Sequence, residues 1–187
     1  MSTQTSDVGL GFWIRWVVAT IIGWVVGMFA AIVLSYLVVN LVYPKETNLI
    51  VGLCLGAAVG LSQKIAVRRR ITLAHSWVWG AMVGIGMPFV VVVFLDELRP
   101  GAGESWWLLL LIAGGAICGL LQVPALRPHT SRVYWWVLAS TVFWGLAWFI
   151  SRVAGAAGFL GGGAVLGAVS CGVLLWLRKP PKTATTV

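Results

Sequence analysis

The chain has 187 residues, 60% of them hydrophobic and only 10% charged, with a mean hydropathy of +0.97. Soluble domains carry about a quarter charged residues, so a water-exposed fold of this size could not hide so much apolar surface. The net charge of +8 sits between apolar runs, which argues against a nucleic-acid partner and for a lipid bilayer.

Crossing the hydrocarbon takes about 20 apolar residues. Six runs qualify, at 12–39, 48–66, 77–95, 106–125, 134–152 and 158–177. Backbone groups in lipid must bond within their own segment, so runs this continuous predict helices. The expected fold class is therefore all-α: a polytopic integral membrane protein with one transmembrane domain over 1–187. The first run is too long for one perpendicular crossing, and its start, FWIRW, fits the headgroup layer with Arg15 reaching outward. The leader MSTQTSDVGLG carries no positive charge and does not read as a signal peptide.

The turn after the second run holds Lys64, Arg68, Arg69 and Arg70, the turn after the fourth holds Arg127 and Arg132, and the tail holds Arg178, Lys179 and Lys182. With Arg15 these are ten of the thirteen basic residues, and six alternating helices place all ten on one side. The other side receives Glu46, Asp96, Glu97 and Glu104, four of the five acids. The excess of positive charge predicts that this side, with both termini, is cytoplasmic. The same cations could instead hold lipid headgroups or a partner.

A shift of 59 residues maps Gly56, Gly60, Leu61, Gln63, Arg68 and Trp77 onto Gly115, Gly119, Leu120, Gln122, Arg127 and Trp136. The first helix joins the series, because WVVATIIGW at 16–24 aligns with WVLASTVFW at 136–144. Helix three, WVWGAMVGI at 77–85, keeps the first tryptophan and has Ile85 in place of the second. The unit is two helices joined by a basic turn, complete at 48–95 and 106–152. Parallel repeats of this kind, with helix six beside helix one supplying a third, would make a pseudo-threefold bundle. The even helices carry glycines four apart: Gly52, Gly56 and Gly60, then Gly115 and Gly119, then Gly163 and Gly167. Small residues let membrane helices approach closely. The expected arrangement has even helices innermost and tryptophan-rich odd helices toward lipid, with Trp16, Trp77, Trp136 and Trp176 in an aromatic belt.

Gln63 and Gln122 end two glycine-rich helices. Such residues form interhelical hydrogen bonds, bond the free carbonyls of a helix end, or hold a ligand. His75 and His129 lie in the basic turns, and Cys54, Cys118 and Cys171 lie in apolar runs. None has metal-ligand spacing, so no metal or cofactor is expected. Pro88 predicts a kink, and the glycine-rich 155–163 a place that unwinds. No acid lies in an apolar run and no catalytic motif is present, so catalytic residues are not expected either. The pattern G-x3-G-L-x-Q … L-R … W-V-x-A-S at 115–140 resembles repeats in uncharacterised polytopic bacterial membrane proteins. The resemblance implies a bacterial inner-membrane protein and brings no activity with it. The expectation is a non-enzymatic accessory or scaffold subunit that meets other membrane-protein subunits. The alternative is a small channel or transporter for a neutral or apolar solute, which requires a cavity along the bundle axis.

Overall fold

The computed structural model describes residues 4–39, 47–68, 73–100 and 102–177, apart from a few side chains within the helices. Four helices come first: α1 Gln4–Val39, α2 Thr47–Val67, α3 Ser76–Leu98 and α4 Ala102–Leu126. The last helical stretch, Val133–Leu177, is interrupted at Gly155, whose φ of 55° and ψ of −134° are not helical. We call its two parts α5 (133–154) and α6 (156–177). A straight helix of 45 residues would separate its ends by about 68 Å at 1.5 Å per residue. Val133 and Leu177 instead share one core cluster, so the chain reverses at Gly155. A positive φ with this ψ is essentially open to glycine alone. The rest of the expected unwinding site, 156–163, is helical.

Among the described residues there is no strand, and five helices are long and apolar enough to cross a membrane. The sixth apolar segment, Gly161–Leu177, has 17 residues, about 26 Å of helix. α1 begins at Gln4, earlier than its apolar run, and spans 36 residues. Ile22, Phe29, Leu53, Phe94, Val142 and Phe149 point outward from four helices and are exposed. Lipid, not water, suits such a surface. The architecture is thus helical and membrane-spanning in character.

Helices adjacent in sequence are adjacent in space, from α1·α2 through α4·α5, and the last helical stretch closes back on α1. The closing partner is α6: Trp13 Nε1 donates to the Ala168 carbonyl at 3.3 Å, and Trp16 Nε1 donates to Ser170 Oγ at 2.9 Å. Trp135 meets Trp176 edge-on at 5.8 Å, and the Arg132 guanidinium sits 5.3 Å from the Trp176 ring, tying α5 to α6. The result is a closed ring of six helices in which every helix offers one face to the centre. The expected division into inner even and outer odd helices is therefore wrong. So is the assignment of three tryptophans to a belt: Trp16, Trp77 and Trp136 are only 1%, 0% and 4% exposed. Their indole N–H groups have acceptors inside the protein, which lets the large rings be buried. Trp176 and Trp106 remain half-exposed.

Glycine sets the helix spacing. A Cβ on Gly56 would stand 2.6 Å from the Ala81 carbonyl oxygen and 2.7 Å from Met82 Cα; on Gly119 it would stand 2.8 Å from Val137 Cα. Both are backbone collisions that no rotamer relieves. Pro88 is fully buried inside α3, and a second proline, Pro124, lies inside α4.

Candidate functional site

At one end of the ring a single cluster joins Phe12 and Trp16 of α1, Val67 of α2, Trp77 of α3, Val123 and Leu126 of α4, Val133 and Trp136 of α5, and Cys171, Leu174 and Leu177 of α6. The rings of Trp16 and Trp77 meet edge-on at 5.7 Å, and those of Trp77 and Trp136 meet tilted by 37° at 5.4 Å. This tryptophan layer seals the ring at the end where Lys64, Arg68, Arg127 and Arg132 emerge. Arg68, Arg127, Arg132 and Arg15 are exposed and Lys64 half-buried. Arg69, Arg70, Arg178 and Lys179 lie outside the described residues.

Just beneath the layer is a connected set of polar side chains. Trp77 Nε1 donates to Gln63 Oε1 at 3.1 Å, and Trp136 Nε1 donates to Gln122 Oε1 at 2.9 Å. Each pair is separated by 14 residues. Gln63 Nε2 then donates to Thr20 Oγ1 at 3.1 Å, and Gln122 Nε2 to the Trp77 carbonyl at 3.4 Å. Thr20 passes its own hydroxyl hydrogen to the Trp16 carbonyl at 2.9 Å. Both glutamine side chains thus bridge neighbouring helices, and both are buried, at 7% and 3% exposure. Ser170 plays on α6 the part the glutamines play on α2 and α4, and sequence reading missed it. The signal was present: Gly163-x3-Gly167-x2-Ser170 has the spacing of Gly56-x3-Gly60-x2-Gln63.

The glycines position these partners. Gly60 lies against Val78 and Ala81, Gly119 against Val137 and Ser140, and Gly167 against Val17 and Thr20. One turn farther from the tryptophan layer, Gly115 lies against Trp144 and Gly163 against Trp24, a Cβ at either coming within 2.8 Å of the indole side chain. Gly52 faces Gly86 and Phe89.

Among the described residues three cavities succeed one another, two of them on the axis. The first, about 60 Å³, lies under the tryptophan layer and takes lining from all six helices: Thr20 and Trp24, Val59 and Gln63, Ala81 and Ile85, Cys118 and Gln122, Trp136, Ser140, Phe143 and Trp144, and Leu166 and Ser170. A cavity touched by every member of a closed ring is on its axis. The second, about 200 Å³, also touches all six: Trp24, Leu55, Phe89, Trp107 and Leu111, Trp144, Ala147, Trp148 and Ser151, and Gly158 and Gly162. Trp24 and Trp144 line both cavities, and their rings stand 6.4 Å apart. The third, about 440 Å³, is a wide mouth lined by Asp96, Trp107, Trp148 and Arg152. It shares Trp107 and Trp148 with the second. Arg152 lies 5.9 Å from the Trp148 ring, at the rim.

The lining thus changes from a charged rim at Asp96 and Arg152, through an indole-lined chamber, to a polar floor under the tryptophan layer. Among the described residues no charged side chain lines the chamber or the floor. Among the described residues no group of three His, Cys, Asp or Glu side chains could hold a metal. His75 is exposed and His129 half-buried in their turns. Arg99 is exposed at the mouth end of α3, with Asp96 and Glu97. No family model, curated protein or solved structure matches the chain.

Proposed function

We propose that this chain is a multi-pass bacterial inner-membrane protein that admits a small neutral or apolar solute into an axial vestibule, closed on the cytoplasmic side. One observation carries the reading: successive cavities share their lining residues, and two of them are bounded by all six helices. A bundle built only to present outer faces has no need of a centre lined by Trp24, Trp107, Trp144 and Trp148. The scaffold reading rested on tryptophan-rich faces turned to partner subunits. Of the nine tryptophans on α1, α3 and α5, only Trp79 and Trp135 are largely exposed, so that reading has less support.

The positive-inside bias makes the tryptophan-sealed end cytoplasmic and the Asp96–Arg152 mouth periplasmic. Lack of charge in the chamber and the floor fits a neutral passenger, since an unpaired buried ion is costly. We also read the ring as three related helix pairs, α6·α1, α2·α3 and α4·α5. Three observations support it: a tryptophan N–H on an acceptor seven residues past a glycine, the same glycine-against-valine contact, and a common turn of the helix between them.

The test is thiol accessibility in a chain whose three native cysteines are replaced. Ser151→Cys and Ala147→Cys should react with a membrane-impermeant maleimide added to the periplasmic side, and Leu126→Cys should not react from that side. Equal protection of all three, or labelling of Ser151→Cys from the cytoplasmic side alone, would overturn the vestibule or its orientation.

A further inference from the structure

We infer that the floor of the vestibule recognises one hydrogen-bond-accepting oxygen on an otherwise apolar, uncharged solute of about one ring in size. This deepens the vestibule reading and rests on it.

The argument begins with a count of donors. A glutamine amide has two N–H groups. Gln63 spends one on Thr20 and Gln122 spends one on the Trp77 carbonyl. Among the described residues each keeps one N–H without an acceptor, although both side chains are more than nine-tenths buried and line the same 60 Å³ pocket. A buried donor left unsatisfied gives up its hydration with nothing in return. Orphaned N–H groups are also rarer than carbonyl oxygens with a spare lone pair. The floor therefore demands an acceptor. Between visits by solute, one or two waters fit, at about 30 Å³ each. A solute oxygen that displaces them must reproduce their bonds to gain affinity.

The chamber above sets the rest of the molecule. Its volume of about 200 Å³ exceeds the roughly 150 Å³ that admits benzene to an apolar cavity. Its walls are the indoles of Trp24, Trp107, Trp144 and Trp148 with Phe89. A carboxylate or ammonium placed there would lose its hydration with no counter-charge. Alcohols, carbonyls and amides on a small ring or short chain remain.

The experiment uses the full chain in lipid nanodiscs, with empty nanodiscs subtracting partition into lipid. The probes are 4-bromobenzyl alcohol, 4-bromotoluene, 4-bromobenzoate and 4-bromobenzylammonium, read by quenching of tryptophan fluorescence. Saturable binding of the alcohol about tenfold tighter than that of the toluene is expected, with no saturable binding of either ion. Gln63→Leu and Gln122→Leu should each bring the alcohol-to-toluene ratio toward one while toluene binding persists. Trp148→Leu should weaken both neutral probes together. A wild-type ratio near one with both neutral probes bound would refute the floor and leave the vestibule standing. Failure of every probe to bind would sink both. If either glutamine variant fails to fold, the wild-type ratio alone decides.

Discussion

The bond between Trp77 and Gln63 can be isolated from its surroundings by a double-mutant cycle. Trp77→Phe removes the indole N–H and leaves Gln63 Oε1 without its donor. Gln63→Leu removes the acceptor and leaves the Trp77 N–H stranded in a residue that is 0% exposed. Each single change should cost about 1–3 kcal/mol for the buried group left behind, plus a packing loss. The double variant strands neither group, so its cost should fall short of the sum. Interhelical hydrogen bonds in membranes average about 0.6 kcal/mol by this measure and reach about 1.7. Trp77 is fully buried and its 3.1 Å bond links two helices, which places the expected coupling in the upper half of that range, about 1–1.7 kcal/mol. Trp77 with Gln122 supplies the control. Gln122 Nε2 bonds the Trp77 main-chain carbonyl, which Trp77→Phe keeps. That cycle should give a smaller coupling than the first, because Trp77→Phe leaves in place the bond it probes. The assay is reversible unfolding in mixed micelles titrated with a denaturing detergent, followed by circular dichroism. Equal coupling in both cycles, or none in the first, would refute the inward-facing tryptophan layer.

Gly84→Ala should cost about 1–3 kcal/mol by overpacking, because its Cβ would meet Cys118 side chain and backbone, with Cα at 2.7 Å. The thermal midpoint should drop accordingly, and Gly161→Ala, with nothing within 4 Å, should leave it unchanged. Gly155→Ala meets no neighbour either, yet its φ of 55° should make it cost about 1–3 kcal/mol from backbone strain alone; a loss below about 0.5 kcal/mol would contradict the sharp reversal there. Phe143→Ala should enlarge the 60 Å³ floor pocket and lower stability by about 3–5 kcal/mol, measured by the same unfolding assay. Neutralising Arg68, Arg69 and Arg70 to glutamine should produce a mixed population in which reporter tags in the 63–76 turn score partly outside.

The helices were legible because apolar runs of spanning length leave the backbone no alternative in lipid. The Gln63–Trp77 and Gln122–Trp136 recurrence was legible as a pattern, but its geometry was not. Tryptophan near a membrane helix end is ordinarily an interface residue, and only the presence of an acceptor across the helix pair turns it inward. Ser170 escaped notice because it is shorter than glutamine and its offset from Gln122 is 48, not 59. The shortening is absorbed by the helices, since Trp16 Nε1 reaches Ser170 at 2.9 Å. The chamber could not be read at all: Trp24, Leu55, Phe89, Trp107 and Trp148 come from segments far apart in sequence, and no local spacing announces that they converge.

The same comparison explains why the centre is open. Seven residues past Trp16 stands Gly23, and seven past Trp77 stands Gly84. A Cβ at either would come within 2.7 Å of a backbone Cα on the next helix, at Val59 and Cys118. Seven past Trp136 stands Phe143, which lines the floor pocket opposite Val59 and Cys118 together with Leu166. Two junctions between helix pairs are thus closed to backbone contact, and the third, between α5 and α6, holds a large ring where the others hold none. Those two helices are tied together at both ends, by the Gly155 reversal and by the Trp135–Trp176–Arg132 stack. Phe143 thus stands where the α1–α2 and α3–α4 contacts have glycine, and the pocket beside the amides of Gln63 and Gln122 lies against its ring.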